Sequence, residues 1–150
     1  MANTQAITTS FKVQILNGIH AFGTTVVRGG TGADAFKAAL FLASASRGAG
    51  DTVYNTTGEV SGSGYSAGGV AFTWIAPTSS GTTAFSSPSA SIVYTAVTLA
   101  TAFDAVLLYN SSQGDKAVAV YTFGSQTVTG GNFTLTIPTN DAVTGLLRLA

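Results

Sequence analysis

The sequence predicts a mainly β chain: an antiparallel β-sandwich, jelly-roll or Ig-like, with one short N-terminal α-helix. Three observations carry that expectation. Beyond residue 50, apolar residues recur at every second position between clusters of Gly, Ser and Thr, the pattern of half-buried strands joined by turns. Only one early stretch has helical spacing. Six or more strands with so little helix leave sheet packed on sheet as the way to bury their apolar faces, and 150 residues suit a single domain, 1–150, with one core.

The elements follow in order. "MANTQA" is polar and unpatterned, so residues 1–6 are expected to form a flexible arm that orders on a neighbouring subunit. Thr8, Thr9 and Ser10 offer capping oxygens, and Phe11, Ile15 and Ile19 recur every fourth residue with Leu16 beside them, which predicts a helix over 9 to 20. Gly18 weakens it and Gly23 lies just beyond, so its support must come from packing. "TTVVRGGTGAD" is turn-rich, with room for one short strand at Val26 and Val27. In "DAFKAALFLASAS" Ala and Leu favour helix, while a compact apolar run between Gly-rich segments suits a buried strand, and strand is the expectation.

Alternation then takes over. "GGVAFTWIAP" sets Val70, Phe72 and Trp74 on one face, and "ASIVYTAVTLA" separates Ile92 and Tyr94 from Val93. "FDAVLLYN" has the continuous apolarity of a central strand, and "SSQGDK" after it predicts a hairpin. "AVAVYTFG" and "NFTLTIP" are expected as two further strands, the second directing Phe133, Leu135 and Ile137 one way, and "GLLRLA" as the last.

Charge narrows the function. Only 8% of residues are charged, against about 25% in ordinary soluble domains, and six basic residues cancel six acidic ones. So little net charge removes repulsion between copies and favours association. Lys12, Arg28, Lys37, Arg47, Lys116 and Arg148 are scattered singly, which argues against a nucleic-acid partner. The longest apolar run, "AALFLA", is far shorter than a bilayer span, and the first residues lack the pattern of a secretory signal, so no membrane role and synthesis in the cytoplasm are expected. Without cysteine there is neither a disulfide nor a thiolate metal site.

One short motif suggests chemistry. "GYSAG" at 64–68 has the spacing of a serine-hydrolase nucleophile elbow centred on Ser66. That elbow needs a helix after the serine and an acid and then a histidine later in the chain; here strand-like "GVAFTW" follows, and the one histidine, His20, lies upstream. The expected role of Gly62, Gly64, Gly68 and Gly69 is a wide turn, since "GSG" also fails the full dinucleotide spacing. Asp34, Asp51, Glu59, Asp104, Asp115 and Asp141 stand too far apart to predict a carboxylate pair or a calcium loop, and one histidine cannot make a histidine metal site. Asp104, inside an apolar run, is expected to be a satisfied buried acid or an outward-facing edge residue. His20 is expected at a helix end, and Trp74 and Tyr65 as packing residues rather than sugar platforms. No catalytic residue, cofactor or metal ligand is predicted; the chain is expected not to be an enzyme, and substitution of Ser66 or His20 by Ala to leave function unchanged.

The succession "TSFKVQILNGIHAF", "DAFKAALFLASASRGAGDTVYNTTGEVSGSGYSAGG", "AVLLYNSSQGDKAVAVYTFG", "FTLTIPTND" and "LLRLA" resembles a family of small tailed-bacteriophage virion proteins, along nearly the whole chain. The resemblance implies a capsid decoration or cement protein on the virion surface. Its partners would be the major capsid protein and further copies of itself, in a homotrimer joined through edge strands or the helix. The loops "SRGAG" and "RGGTGAD" depart from the family pattern. Two rivals stand beside it: a tail or fibre component whose loop "TSSGTTAFSSPSAS" binds a host glycan, and a secreted carbohydrate-binding or adhesive module.

Overall fold

The computed structural model describes residues 2–16, 18–23 and 32–149. The chain is mainly β, in two antiparallel sheets. Strands β1 (Ala6–Ile7), β2 (Phe36–Leu42), β3 (Val70–Phe72), β6 (Ile92–Asn110) and β7 (Lys116–Leu135) form a five-stranded sheet in the order β1-β7-β6-β2-β3. Strands β4 (Thr78–Ser80), β5 (Thr83–Ser86) and β8 (Leu147–Leu149) form a three-stranded sheet in the order β4-β5-β8.

Helix α1 spans Thr9–Leu16, so the helix expected over 9 to 20 is not formed at that length. Its end has a local cause. Gly18 has φ of +64° and donates to Ile15 O, while Ile19 N–H donates to Gln14 O, the paired bonds of a Schellman stop. Phe11 anchors the segment as a fully buried side chain. Within the stretch expected as an arm, residues 1–6, Asn3 Nδ2 donates to Leu42 O and to Asp104, Thr4 N–H donates to Arg47 O, and Ala6 pairs with Val120. These backbone and amide bonds are made to the chain's own core, where a polar sequence pattern is silent. The short strand expected at Val26 and Val27 lies outside the described residues.

The four strands expected over 92–138 are two. β6 and β7 form one hairpin of 19 and 20 residues, closed by a one-turn 3-10 helix, Ser111–Gln113, that Asn110 caps by accepting from Ser112 N. This hairpin does not run straight. Register shifts recur between Tyr94 and Ala105, and Ala96 and Gly130 adopt φ of 51° and 60°. Bulges of this kind bend a strand sharply. Leu108 lies opposite Ala38 in the β6–β2 pairing, and the Tyr94 hydroxyl reaches the carbonyl of that same Ala38 at 2.8 Å. In a straight strand Tyr94 and Leu108 would be about 46 Å apart. The outer half of the hairpin therefore folds back over the inner half.

Two apolar clusters result. Ala38, Leu40, Val106 and Leu108 lie with Tyr94, Val97, Leu99, Phe103 and Trp74 in the cluster beneath the folded-back half. Ala39, Phe41, Leu107, Tyr109 and Val120 form the other, covered by Ala45 and Tyr54 from the connection between β2 and β3. β2 and the inner half of β6 are thus buried on both faces, which is why their sequences read as continuous apolar runs rather than alternations.

Two further elements escape the period-two pattern. Ser- and Thr-rich β4 and β5 make a hairpin around Gly81, so part of the loop expected at "TSSGTTAFSSPSAS" is strand, and β5 pairs with β8.

Candidate interaction surface

The segment that carries "GYSAG" is held against β2 by Glu59. Its Oε1 accepts from Tyr65 Oη at 2.7 Å and from Gly68 N–H at 2.8 Å, and its Oε2 accepts from Tyr54 Oη at 2.6 Å. Tyr65 in turn accepts from Leu40 N–H at 3.0 Å, and Tyr109 Oη donates to Gly68 O at 2.8 Å. The rings pair as well, Tyr54 on Tyr109 at 4.6 Å and Tyr65 on Tyr94 at 5.9 Å. Burial raises every one of these phenols, with Glu59 adding to the effect; Tyr109 is pushed up to about 12 by burial and then by Asp115 and Glu59. The network is a structural clamp made of protonated tyrosines around one carboxylate.

Ser66 sits at the exposed start of a β-turn in which Gly69 N–H donates to Ser66 O at 3.0 Å. The turn demands glycine: Gly69 has φ of +70°, and a Cβ there would stand 1.7 Å from Ala38 O. Gly62 and Gly64 likewise pass within close reach of the β6 backbone at Thr98 and Ala96, while Gly68 faces the Tyr109 hydroxyl. His20 is elsewhere, its Nε2 paired with Gln14 Oε1 at 2.7 Å and its Nδ1 with Asn110 Nδ2 at 3.0 Å. Its ring meets Phe11 edge-on. No triad assembles from Ser66 and His20.

The acids are dispersed into local bonds. Asp34 accepts from Ala21 N–H, Asn110 and Gln113. Asp51 pairs with Arg47 at 2.9 Å. Asp104, in a partly buried place, accepts from Asn3, which fits the satisfied acid among the two expectations for it. Asp141 accepts from the backbone and hydroxyl of Thr144 and from Val143 N–H, bonds that hold its carboxyl below the usual range. Among the described residues no three His, Cys, Asp or Glu gather as metal ligands. Trp74 is 3% exposed within a ring cluster of Phe22, Phe36 and Phe72, and Tyr65 is tied into the clamp, so neither presents a face to a sugar.

Sequence reasoning counted Arg47 only as a scattered charge and missed its buried role. It is 6% exposed, lies 4.0 Å over the Phe41 ring, and donates to Asp51, Asn55 and Thr57. A lone arginine in "SASRGAGD" carries no spacing signal that would reveal this.

Asp115, Arg148 and several apolar side chains such as Val143 are exposed elsewhere, but along β7 beyond Lys116 the surface is backbone edge and uncharged side chains. β7 runs from Tyr121 to Leu135 with β6 on one side and, among the described residues, no strand on the other, since β1 pairs only with Ala119 and Val120. No charged residue occurs between Lys116 and Asp141. An apolar cleft of about 230 Å³ opens beside this edge, lined by Ile92, Val106, Leu108, Tyr121, Leu135 and Ile137 among others. Comparison with known proteins finds no matching family model, no matching curated protein and no matching solved structure.

Proposed function

We propose that this chain is a non-enzymatic structural protein of a tailed-phage virion, a capsid decoration or cement protein that binds the major capsid protein and further copies of itself. We take the folded-back hairpin, with the smaller sheet beside it, as the β-sandwich of such a protein. The observation that carries the proposal is the use of the polar groups. Glu59, Arg47, Asp34, Asp51 and Asp104 are bound to the chain's own side chains and backbone. From Ala117 to Asn140 what is left for partners is a strand edge and side chains without charge. Such a surface suits close packing of many identical copies, where charge would repel.

The test is the protein content of purified particles, by quantitative mass spectrometry with immunolabelling. The expected result is hundreds of copies over the head, and particles lacking the protein that lose integrity at lower temperature. Absence from the particle would overturn the proposal. A second reading, a tail or fibre component, draws on the exposed Ser/Thr-rich turn around β4 and β5. A few copies confined to the tail, together with saturable sugar binding, would select it.

A further inference from the structure

We propose that the last part of the β7 edge, residues 131–135, with Thr136 and Ile137 that follow it, pairs antiparallel with the same edge of a second copy, about a two-fold axis. The inference deepens the self-association in the function proposed above and rests on that reading for its biological setting.

Four observations converge on this stretch. Over Phe133, Thr134 and Leu135 its pairing with β6 is in register, opposite Tyr94, Val93 and Ile92, and the one shift in the stretch falls between Phe133 and Gly131, so the end of the strand presents an ordered row of backbone groups on its far side. Among the described residues no strand takes that far side. Natural sheets guard such edges with charge, proline, bulges or a covering segment. Here residues 131–137 hold no charge and no proline, and Pro138 comes only where the strand has ended. Finally, Phe133, Leu135 and Ile137 are half-buried while Asn132, Thr134 and Thr136 are exposed, so an apolar stripe reaches the edge without being fully covered.

The cleft beside the edge identifies the occupant. Leu135 and Ile137 line it together with Tyr121, Phe123, Leu146 and the buried Ile92, Val106 and Leu108. This is the open side of the folded-back hairpin, where the interior is accessible from outside. A partner must bring a strand edge and an apolar stripe at the same period. A second copy brings both, because an antiparallel edge is self-complementary: each donor meets an acceptor of the other copy when the two are related by a two-fold axis. The absence of charge on both sides removes the repulsion that would otherwise oppose identical surfaces.

The experiment is sedimentation velocity over a concentration series, with two variants, T134K/T136K and T134E/T136E. Both threonines are exposed, and a thermal melt shows whether each variant is folded. Pairing about an axis near Thr134 to Thr136 places like charges opposite one another, which weakens each variant's self-association about tenfold or more, while an equimolar mixture of the two recovers a heterodimer. Hydrogen exchange on the wild type supplies the second measurement: amides of 131–137 slow as concentration rises. Variants that associate as tightly as wild type, a strictly monomeric wild type, a trimeric mass, or protection shared between 131–137 and another edge would each overturn the two-fold pairing. The fate of the capsid reading is separate. Wild-type levels of the lysine variant on the particle would leave that reading standing and remove the edge, whereas a wild type that dimerises through the edge yet is absent from particles would do the reverse.

Discussion

Removing one hydroxyl, by Tyr65→Phe, tests whether the Glu59 clamp organises the fold. In the native chain that hydroxyl donates to Glu59 and accepts from Leu40 N–H. Leu40 is fully buried in β2, so its N–H has no water to turn to when the oxygen is gone. An unsatisfied buried donor costs about 1–3 kcal/mol, and the lost bond to the carboxylate adds to it, though Glu59 Oε1 keeps the Gly68 N–H. The expected loss is about 2–4 kcal/mol, a large share of the roughly 5–15 kcal/mol that stabilises a domain. In urea the midpoint falls with the slope unchanged, and the melting temperature drops by about 4–16 °C. Tyr121→Phe is the control: its hydroxyl makes a single bond, to Leu146 O, and its loss costs about 1 kcal/mol. A double-mutant cycle with Glu59→Gln then isolates the pair, with a coupling energy of about 1 kcal/mol or more expected. A Tyr65→Phe chain within about 0.5 kcal/mol of wild type would refute the clamp.

Other expectations concern the turn, the buried cation and alkaline pH. Gly69→Ala forces a Cβ onto Ala38 O and prevents accumulation of folded protein, whereas Gly114→Ala, with φ of +66° but open space, costs about 1–2 kcal/mol by denaturant titration. Arg47→Met strands Asp51, which is 14% exposed, and lowers stability by about 3–5 kcal/mol on the same assay; a loss below about 1 kcal/mol would show that the pair is dispensable. Ser66→Ala, at an exposed turn position, stays within about 0.5 kcal/mol of wild type. Tyr94, 1% exposed, has its phenol pKa raised by burial and then by Glu59. The unfolded chain releases that proton near pH 10 while the folded chain keeps it, so stability is full below about pH 10 and falls above it, by about 1.4 kcal/mol per pH unit for each such tyrosine. Absorbance of tyrosinate at high pH should rise together with unfolding; a rise in chains that remain folded would contradict the buried network.

Some of this was legible in the sequence because its cause is local. Alternation at Val70, Phe72 and Trp74 and at Ile92 and Tyr94 predicts which side chains turn inward, and those residues are buried or half-buried in the structure. The unbroken run of "AVLLYN" predicts a strand covered on both faces, and "SSQGDK" predicts its hairpin. Gly18 was visible as a weakness of the helix, but its role as the stop depends on a left-handed backbone angle that composition does not reveal. β1 was hidden because two residues in a polar setting have no measurable period.

The candidate surface divides in the same way. The uncharged run from Ala117 to Asn140 is written in the sequence, and with it the lack of repulsion between copies. Its exposure as an open edge is not, because that depends on where β1 stops pairing and where the hairpin bends. The clamp joins Glu59 to Tyr54 and Tyr65, and through Gly68 to Tyr109, across about fifty residues with no common spacing. By itself the sequence determined a β-rich chain, its inward-facing residues, its main hairpin and its want of charge, since each follows from side-chain chemistry read over a few residues. Only the tertiary structure decided that four expected strands are one bent hairpin folded over its own base. Bulges set that bend, and a bulge changes the direction of the backbone without leaving a period in the side chains.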